Sequence, residues 1–300
     1  MEDFTMRIIA DSSCDLYQIK DTDFKTVPLT IYTDERSFTD STDLNVSEML
    51  DYLAAYKNRS YTSCPSIDAW LEAFQGADEI FVVTITSALS GSYNSALSAA
   101  QMYTDENKKA KVSVIDSLST GGEEILLIEK LIELQKEGLS FEQIDEKVRD
   151  YAKTTRLFFS FFSVHNLAQN GRVNKVVAAS LNVLNIGVTG TATAEGKIAV
   201  TGKARGEKKC QKILLDEMEK AGFNGRRAII THTENEEGAK SLKELVLSKY
   251  PEADISIYPT RGLCSYYMER RGVVICLETN IVLPHSRTLV FTVILRHSKR

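Results

Sequence analysis

Three short apolar runs, each ending in an acidic or hydroxyl cluster and two of them followed by residues at helical spacing, constrain this chain most. Arg7-Ile8-Ile9-Ala10 runs into Asp11-Ser12-Ser13-Cys14-Asp15, and the stretch from Glu79 to Ile85 runs into Thr86-Ser87. The stretch from Lys111 to Ile115 runs into Asp116-Ser117-Leu118-Ser119-Thr120. Uninterrupted apolar runs of this length suit strands covered on both faces, and their alternation with helices predicts a parallel sheet. In an open sheet of that kind the carboxyl ends of the strands share one crevice, where ligands bind. The polar clusters are therefore expected side by side.

The rest of the first half fits the same scheme. A second strand is read over 27–32, with Pro28 at an edge or entry position. Ser47 is expected to cap a helix over 48–56 and Ser66 one over 67–74. A small-residue helix spans 94–100, and a long amphipathic one spans 123–137 and stops at Gly138. Ser140-x-x-Gln143 reads as a capping box for a helix ending at Lys153. Near residue 155 the pattern changes to a dense aromatic strand over 157–164. A helix over 174–184 follows, then a strand pair over 187–193 and 197–202 joined at Glu195-Gly196. Beyond these come helices over 207–221 and 236–249 and strands over 227–232 and 254–258. The fold class read from this order is α/β, as two α/β domains over 1–156 and 157–280. Residues 281–300 form an atypical tail, strand-like over 288–295 and basic at its end.

Composition removes several function classes. The chain has 300 residues with 43% hydrophobic and 26% charged, ordinary values for a globular protein with a sizeable core. A net charge of −5 argues against a nucleic-acid partner, since Lys203 to Lys209 is the closest approach to a basic patch. No run approaches the roughly 20 apolar residues of a membrane span, and Met1 to Thr5 has no secretory core. Five scattered cysteines without a C-x-x-C spacing fit reduced thiols in a cytoplasm rather than structural zinc. No phosphate loop or G-x-G-x-x-G is present, and no cofactor is expected. Asp11 and Asp116 offer oxygen ligands to a divalent cation, but without a third carboxylate nearby capping is the better reading and no metal site is expected. Cys64 has no histidine near it in sequence, and His232 reads as a local hydrogen-bonding group.

What remains is a pair of hydroxyl-rich turns, Thr62-Ser63-Cys64-Pro65-Ser66 and Thr86-Ser87-Ala88-Leu89-Ser90-Gly91-Ser92-Tyr93, each opening a helix. Hydroxyls beside unpaired backbone N–H groups receive an anionic group without formal positive charge.

The order of these motifs resembles the DegV family. The resemblance rests on Asp11-Ser-Ser-Cys-Asp-Leu16, Val27-Pro28-Leu29, Thr62-Ser-x-Pro-Ser66, Ser87-x-Leu-Ser-Gly-Ser-Tyr93, Ile115-Asp-Ser-Leu118, Asn170-Gly-Arg172 and Gly196-Lys197, and it covers residues 6–278. It implies two α/β domains with a long-chain fatty acid in a tunnel between them. A separate fatty acid kinase subunit would phosphorylate that acid, so the chain would present substrate and perform no chemistry itself. By the same resemblance Thr62, Ser63, Ser90, Ser92 and Arg172 would surround the carboxylate, Ser92 standing in for the usual Thr. Arg205 would belong to the kinase-docking surface. The run Phe158, Phe159, Phe161, Phe162, with Leu167, Val176, Leu181 and Ile186, would supply tunnel lining. One departure stands out, since the region 261–275 carries none of the family's usual histidine, and Arg261, Tyr266, Tyr267 and Arg270 are the candidates to replace that donor. The competing reading is an enzyme acting on a small phosphorylated or acyl substrate in the interdomain cleft, with Asp11 or Asp116 as base or metal ligand.

Overall fold

A computed structural model describes residues 6–174 and 185–282. Along the first half run β1 (Met6–Asp11), β2 (Phe24–Val27), β3 (Thr30–Tyr32), β4 (Ser37–Thr39), α1 (Val46–Ala55) and β5 (Tyr61–Ser63). Then come α2 (Ile67–Phe74), β6 (Glu79–Thr84), α3 (Ser92–Glu106), β7 (Lys111–Asp116), α4 (Gly122–Lys136) and α5 (Phe141–Ala152). The second half contains β8 (Thr155–Phe161), α6 (His165–Gln169), β9 (Ile186–Ala192), β10 (Ile198–Arg205) and α7 (Glu207–Lys220). It finishes with β11 (Phe223–His232), α8 (Glu236–Leu247), β12 (Asp254–Pro259), α9 (Gly262–Met268) and β13 (Val273–Thr279).

The three apolar runs of the first half lie together, as expected, in a four-stranded parallel sheet of order β2-β1-β6-β7. The second half forms a six-stranded mixed sheet, β10-β9-β8-β13-β11-β12, parallel only between β11 and β12. The reading of 27–32 as one strand is corrected. The chain leaves the parallel sheet after Val27, and Thr30–Tyr32 joins a separate antiparallel sheet of order β4-β3-β5. Pro28 has no N–H to extend a ladder, and the Leu29 N–H turns away to the Ser12 hydroxyl at 3.0 Å.

Other differences have local causes. Helix α1 is capped by Asn45, whose side chain accepts from the Glu48 N–H, rather than by Ser47. Ser66 caps α2 as expected, and Ser140 with Gln143 forms the capping box of α5. Strand β13 was not anticipated, although Val273 to Leu277 is fully apolar and lies in the interior of the second sheet. The expected helix over 174–184, with Val176 and Leu181, falls almost entirely outside the described residues, as do residues 283–300 of the tail. Among the described residues no helix is long and apolar enough to cross a membrane.

Helix α4 joins the two sheets. Leu127, Ile128, Leu131 and Leu134 pack with Ile8, Phe81 and Ile115 of the first sheet, whereas Ile125 and Leu126 pack with Leu157, Ile229 and Cys276 of the second. With apolar residues on both faces the helix is covered on both, and Gly122 lets its first turn come close. A Cβ there would lie 3.0 Å from Ile229 Cγ2 and 3.2 Å from Cys276 Cβ.

Two carboxyls are buried in that first turn. Glu123 accepts the Thr155 hydroxyl at 2.5 Å. Ser13 Oγ lies 2.5 Å from both Asp11 Oδ1 and Glu124 Oε1. One hydroxyl hydrogen serves only one of these contacts, so the second needs a proton on a carboxyl. Asp11 accepts the Ser13 and Ile85 N–H groups and the Ser92 hydroxyl, donors that favour its ionised form against the upward push of burial. Glu124 Oε2 has no hydrogen-bond partner, and burial, with the Asp11 charge beside it, pushes that carboxyl well above the ordinary glutamate value. The proton therefore resides on Glu124, which donates to Ser13, which donates to Asp11.

A carboxyl whose pKa is raised on folding binds its proton more tightly in the folded state. Its contribution to stability is whole below the ordinary glutamate range and is lost as pH rises toward the raised value. In Glu124→Gln the amide donates to Ser13 without titrating. Thermal melts of the two proteins from pH 5 to pH 9 are expected to show the variant gaining on the native protein as pH rises. A constant difference across that range would refute the assignment of the proton.

Candidate functional site

A cavity opens between the carboxyl ends of the parallel sheet and the inner face of the six-stranded one. Alternation along β8 directs Leu157, Phe159 and Phe161 into it, and the Phe159 and Phe161 rings stack at 4.4 Å. Phe158 packs on the opposite face of the sheet, and Phe162 lies under the Arg271 guanidinium at 3.9 Å, so only half of the expected aromatic run lines the cavity. Leu263, Met268 and Val274 extend the apolar wall. Leu167 lines it as expected, whereas Ile186 does not.

One end of the cavity is polar, and four side chains from four segments meet there. Thr62 arrives on β5, Ser90 on the turn before α3, Arg172 on the loop after α6, and Tyr267 on α9. Thr62 Oγ1 and Tyr267 Oη are 2.7 Å apart. Arg172 lies over the Tyr267 ring, its guanidinium carbon 5.7 Å from the centroid. Its Nε donates to the Leu89 carbonyl at 3.2 Å and its Nη1 to the Asn170 carbonyl at 2.9 Å. Arg172 thus ties the second hydroxyl turn to the α6 loop. Ser90 Oγ accepts the Ser92 N–H at 3.3 Å, which leaves its hydrogen free to point into the cavity. Burial pushes Tyr267 above the usual tyrosine value, with Thr62 and the Arg172 charge pulling it back, so its hydroxyl remains a neutral donor.

Other expected site residues sit elsewhere. Ser63 is exposed on β5, paired across the ladder with Thr30. Ser92 is fully buried, its hydroxyl given to Asp11 rather than to the cavity. Of the candidates for the missing histidine only Tyr267 reaches the cavity. Tyr266 is buried against Ser60 and Asn170, and Arg270 pairs with Glu234 and Asp51. Arg261 lies over the Tyr17 ring, 4.2 Å from its centroid. Arg205 ends β10 and is exposed.

Asp116 accepts the Ser87 and Leu118 N–H groups, a capping role, as Asp11 does for Ser13 and Ile85. His232 Nδ1 accepts the Asn235 N–H at 3.2 Å. Among the described residues no group of three His, Cys, Asp or Glu is arranged to hold a metal ion. Thr86, Ser119 and Thr120, read from the sequence as part of the polar clusters but not singled out as contacts, also border the cavity. Their signal was present, since all three lie in the polar clusters after β6 and β7.

The arrangement is an apolar cavity with hydroxyl donors and one partly engaged guanidinium at one end. It suits a molecule with a long apolar body and a single acceptor-rich head.

Comparison with known proteins places this geometry in a family. The family model described as an uncharacterised protein of the DegV family matches residues 5–279. A DegV domain-containing protein of Streptococcus gordonii is 42% identical over 278 residues, 91% of this chain and 99% of that protein. A crystal structure of a DegV family protein from Eubacterium eligens loaded with heptadecanoic acid is 48% identical with a TM-score of 0.90, covering 92% of this chain and 100% of that one. The Streptococcus pneumoniae Fatty Acid Kinase (Fak) B3 protein loaded with linoleic acid is 42% identical with a TM-score of 0.90, at the same coverage of each chain. With its matched span, its relatives and its fold in agreement, this chain belongs to the DegV family.

Proposed function

We propose that this protein binds a long-chain fatty acid, with the acyl chain in the cavity and the carboxylate at the end formed by Thr62, Ser90, Tyr267 and Arg172. The observation that carries the reading is the union of one polar end and an apolar wall in a single cavity. Each buried CH₂ contributes about 0.8 kcal/mol, so an alkyl chain binds such a wall without any further recognition. The head needs acceptors matched by donors. Ser90 supplies one hydrogen, and the Thr62–Tyr267 pair, after one member donates to the other, supplies a second. The fatty acids bound by the similar proteins of Eubacterium eligens and Streptococcus pneumoniae support this choice of ligand.

The same reading includes presentation of the carboxylate to a separate kinase subunit, supported by the likeness to the Fak B3 protein. Arg172 spends two nitrogens on backbone carbonyls and does not form a fork around the carboxylate. A carboxylate held by neutral hydroxyls keeps more electron density on oxygen than one clamped bidentately by arginine, and remains able to attack a phosphoryl group. In this division of labour the chain binds and orients the acid, and its partner supplies the phosphoryl group.

Protein purified from a bacterial host and sprayed under native conditions is expected to carry a bound mass in the long-chain fatty acid range. After delipidation, Ser90→Ala is expected to weaken linoleic acid binding about ten-fold in a calorimetric titration, the loss of one hydrogen bond to a charged group. A clean unliganded mass together with no detectable linoleic acid binding by the native protein would overturn the reading.

Tyr267→Phe keeps the ring under Arg172 but removes the Thr62 partner. It is expected to weaken binding by a similar factor while leaving the thermal midpoint in the absence of lipid nearly unchanged. Undiminished affinity would remove Tyr267 from the clasp.

A further inference from the structure

Helix α9 brings Tyr267 to the cavity, and its start is held by groups that the fatty-acid reading leaves without a role. Three successive backbone N–H groups there are received by two carboxylates from the first half of the chain. Asp15 Oδ1 accepts the Arg261 N–H at 2.7 Å. Asp40 Oδ1 accepts the Gly262 N–H at 2.7 Å, and Asp40 Oδ2 accepts the Leu263 N–H at 2.8 Å. Tyr17 donates its hydroxyl to Asp40 Oδ1 at 2.6 Å, and its ring lies under the Arg261 guanidinium. Asp40 is 0% exposed and Asp15 5% exposed. Removing a carboxylate from water costs several kcal/mol unless donors surround it, as three do Asp40, whereas Asp15 Oδ2 has no partner and burial pushes that carboxyl well above the ordinary aspartate value.

The fit admits no side chain at Gly262. A Cβ would lie 2.7 Å from Asp40 Oδ1 and 2.5 Å from Leu44 Cδ2, so the helix start rests directly on the carboxylate.

The supports of the two clasp residues are linked. Asp40 directly follows β4, in the small sheet whose middle strand β3 also pairs with β5, and β5 carries Thr62. Tyr267 lies on the helix that Asp40 holds. The path from Thr62 through β5, β3, β4 and Asp40 to α9 closes on itself at the hydrogen bond between Thr62 and Tyr267.

Resting on the fatty-acid reading, we propose that Asp40, seconded by Asp15, is a positioning residue that sets where α9 starts and so holds the Tyr267 hydroxyl against Thr62 at the head-group end. Asp40 acts through Tyr267 and touches no ligand itself. In Asp40→Asn one acceptor oxygen is replaced by an amide that faces a backbone N–H, donor against donor.

The test is a double-mutant cycle on delipidated protein titrated with linoleic acid, comparing the native chain, Asp40→Asn, Tyr267→Phe and the double variant. Asp40→Asn is expected to weaken binding about ten-fold in the native background and less than about two-fold in the Tyr267→Phe background. Equal losses in both backgrounds, or no loss in the native one, would overturn the proposal. Hydrogen exchange of the 261–268 segment provides a readout independent of ligand. It is expected to accelerate in Asp40→Asn, and unchanged protection overturns the proposal whether or not linoleic acid binds. Failure of the native chain to bind linoleic acid strikes the fatty-acid reading alone, because exchange still decides the role of Asp40. If Asp40→Asn does not fold, Tyr17→Phe, which withdraws one donor from Asp40, goes through the same cycle with a smaller loss of the same pattern.

Discussion

The contact on which the molecule depends is the Ser13 hydroxyl held between Asp11 and Glu124. It joins the carboxyl end of the central strand β1 to the first turn of α4, the helix that lies against both sheets. Asp11 also receives Ile85 and Ser92, so the same carboxylate anchors the end of β6 and the start of α3. From Ser92 one further bond reaches Ser90 at the cavity. The geometry of the second hydroxyl turn therefore traces back to a buried charge made tolerable by the proton on its neighbour. Without that proton two carboxylates would face one another across a single hydroxyl in a region shut off from water, and their repulsion would act on the joint between the sheets.

Charge is distributed by a simple division. Asp11 and Asp40 sit in the interior and spend both oxygens on backbone N–H and hydroxyl donors where strands end and helices begin, and Asp15 spends one oxygen on the Arg261 N–H. Among the described residues the cavity lining holds no carboxylate, and its two cations are Arg172 at the polar end and Lys197. Acidic groups thus fix the turns from behind, while the surface offered to a ligand carries donors. A carboxylate ligand meets no like charge at the cavity end, and the buried carboxylates orient the hydroxyls that face it.

Much of this was legible in the sequence. The three apolar runs with polar ends specified the parallel sheet, and the two hydroxyl turns include Thr62 and Ser90, which line the cavity, because local pattern reports strands, caps and turns directly. Ser63 and Ser92 show where such reading stops. A hydroxyl in the right turn still has to point the right way, and the pairing of β5 and the start of α3 turn these two elsewhere. The β13 strand was missed because its apolar run follows a charged pair, Arg270-Arg271, close behind a short helix. Asp40 carried no local signal at all. The backbone N–H groups it receives lie more than two hundred residues away, and only the folded chain brings an aspartate after an edge strand to the start of α9.

The absence of histidine from 261–275 matters in this light, since the resemblance to the DegV family implies one there. Tyr267 reaches the cavity from that region with a group of different chemistry. An imidazole changes charge near neutral pH, and a donor of that kind strengthens or weakens its hold on a carboxylate as pH moves across its pKa. A phenol pushed upward by burial stays neutral through the same range. The only formal charge among the four residues belongs to the Arg172 guanidinium. The end of the cavity proposed to take the head group thus has a neutral phenol, with no histidine among the described lining residues, so the position of its donors matters most. That places the demand for precision on the start of α9, which two buried aspartates hold by its backbone.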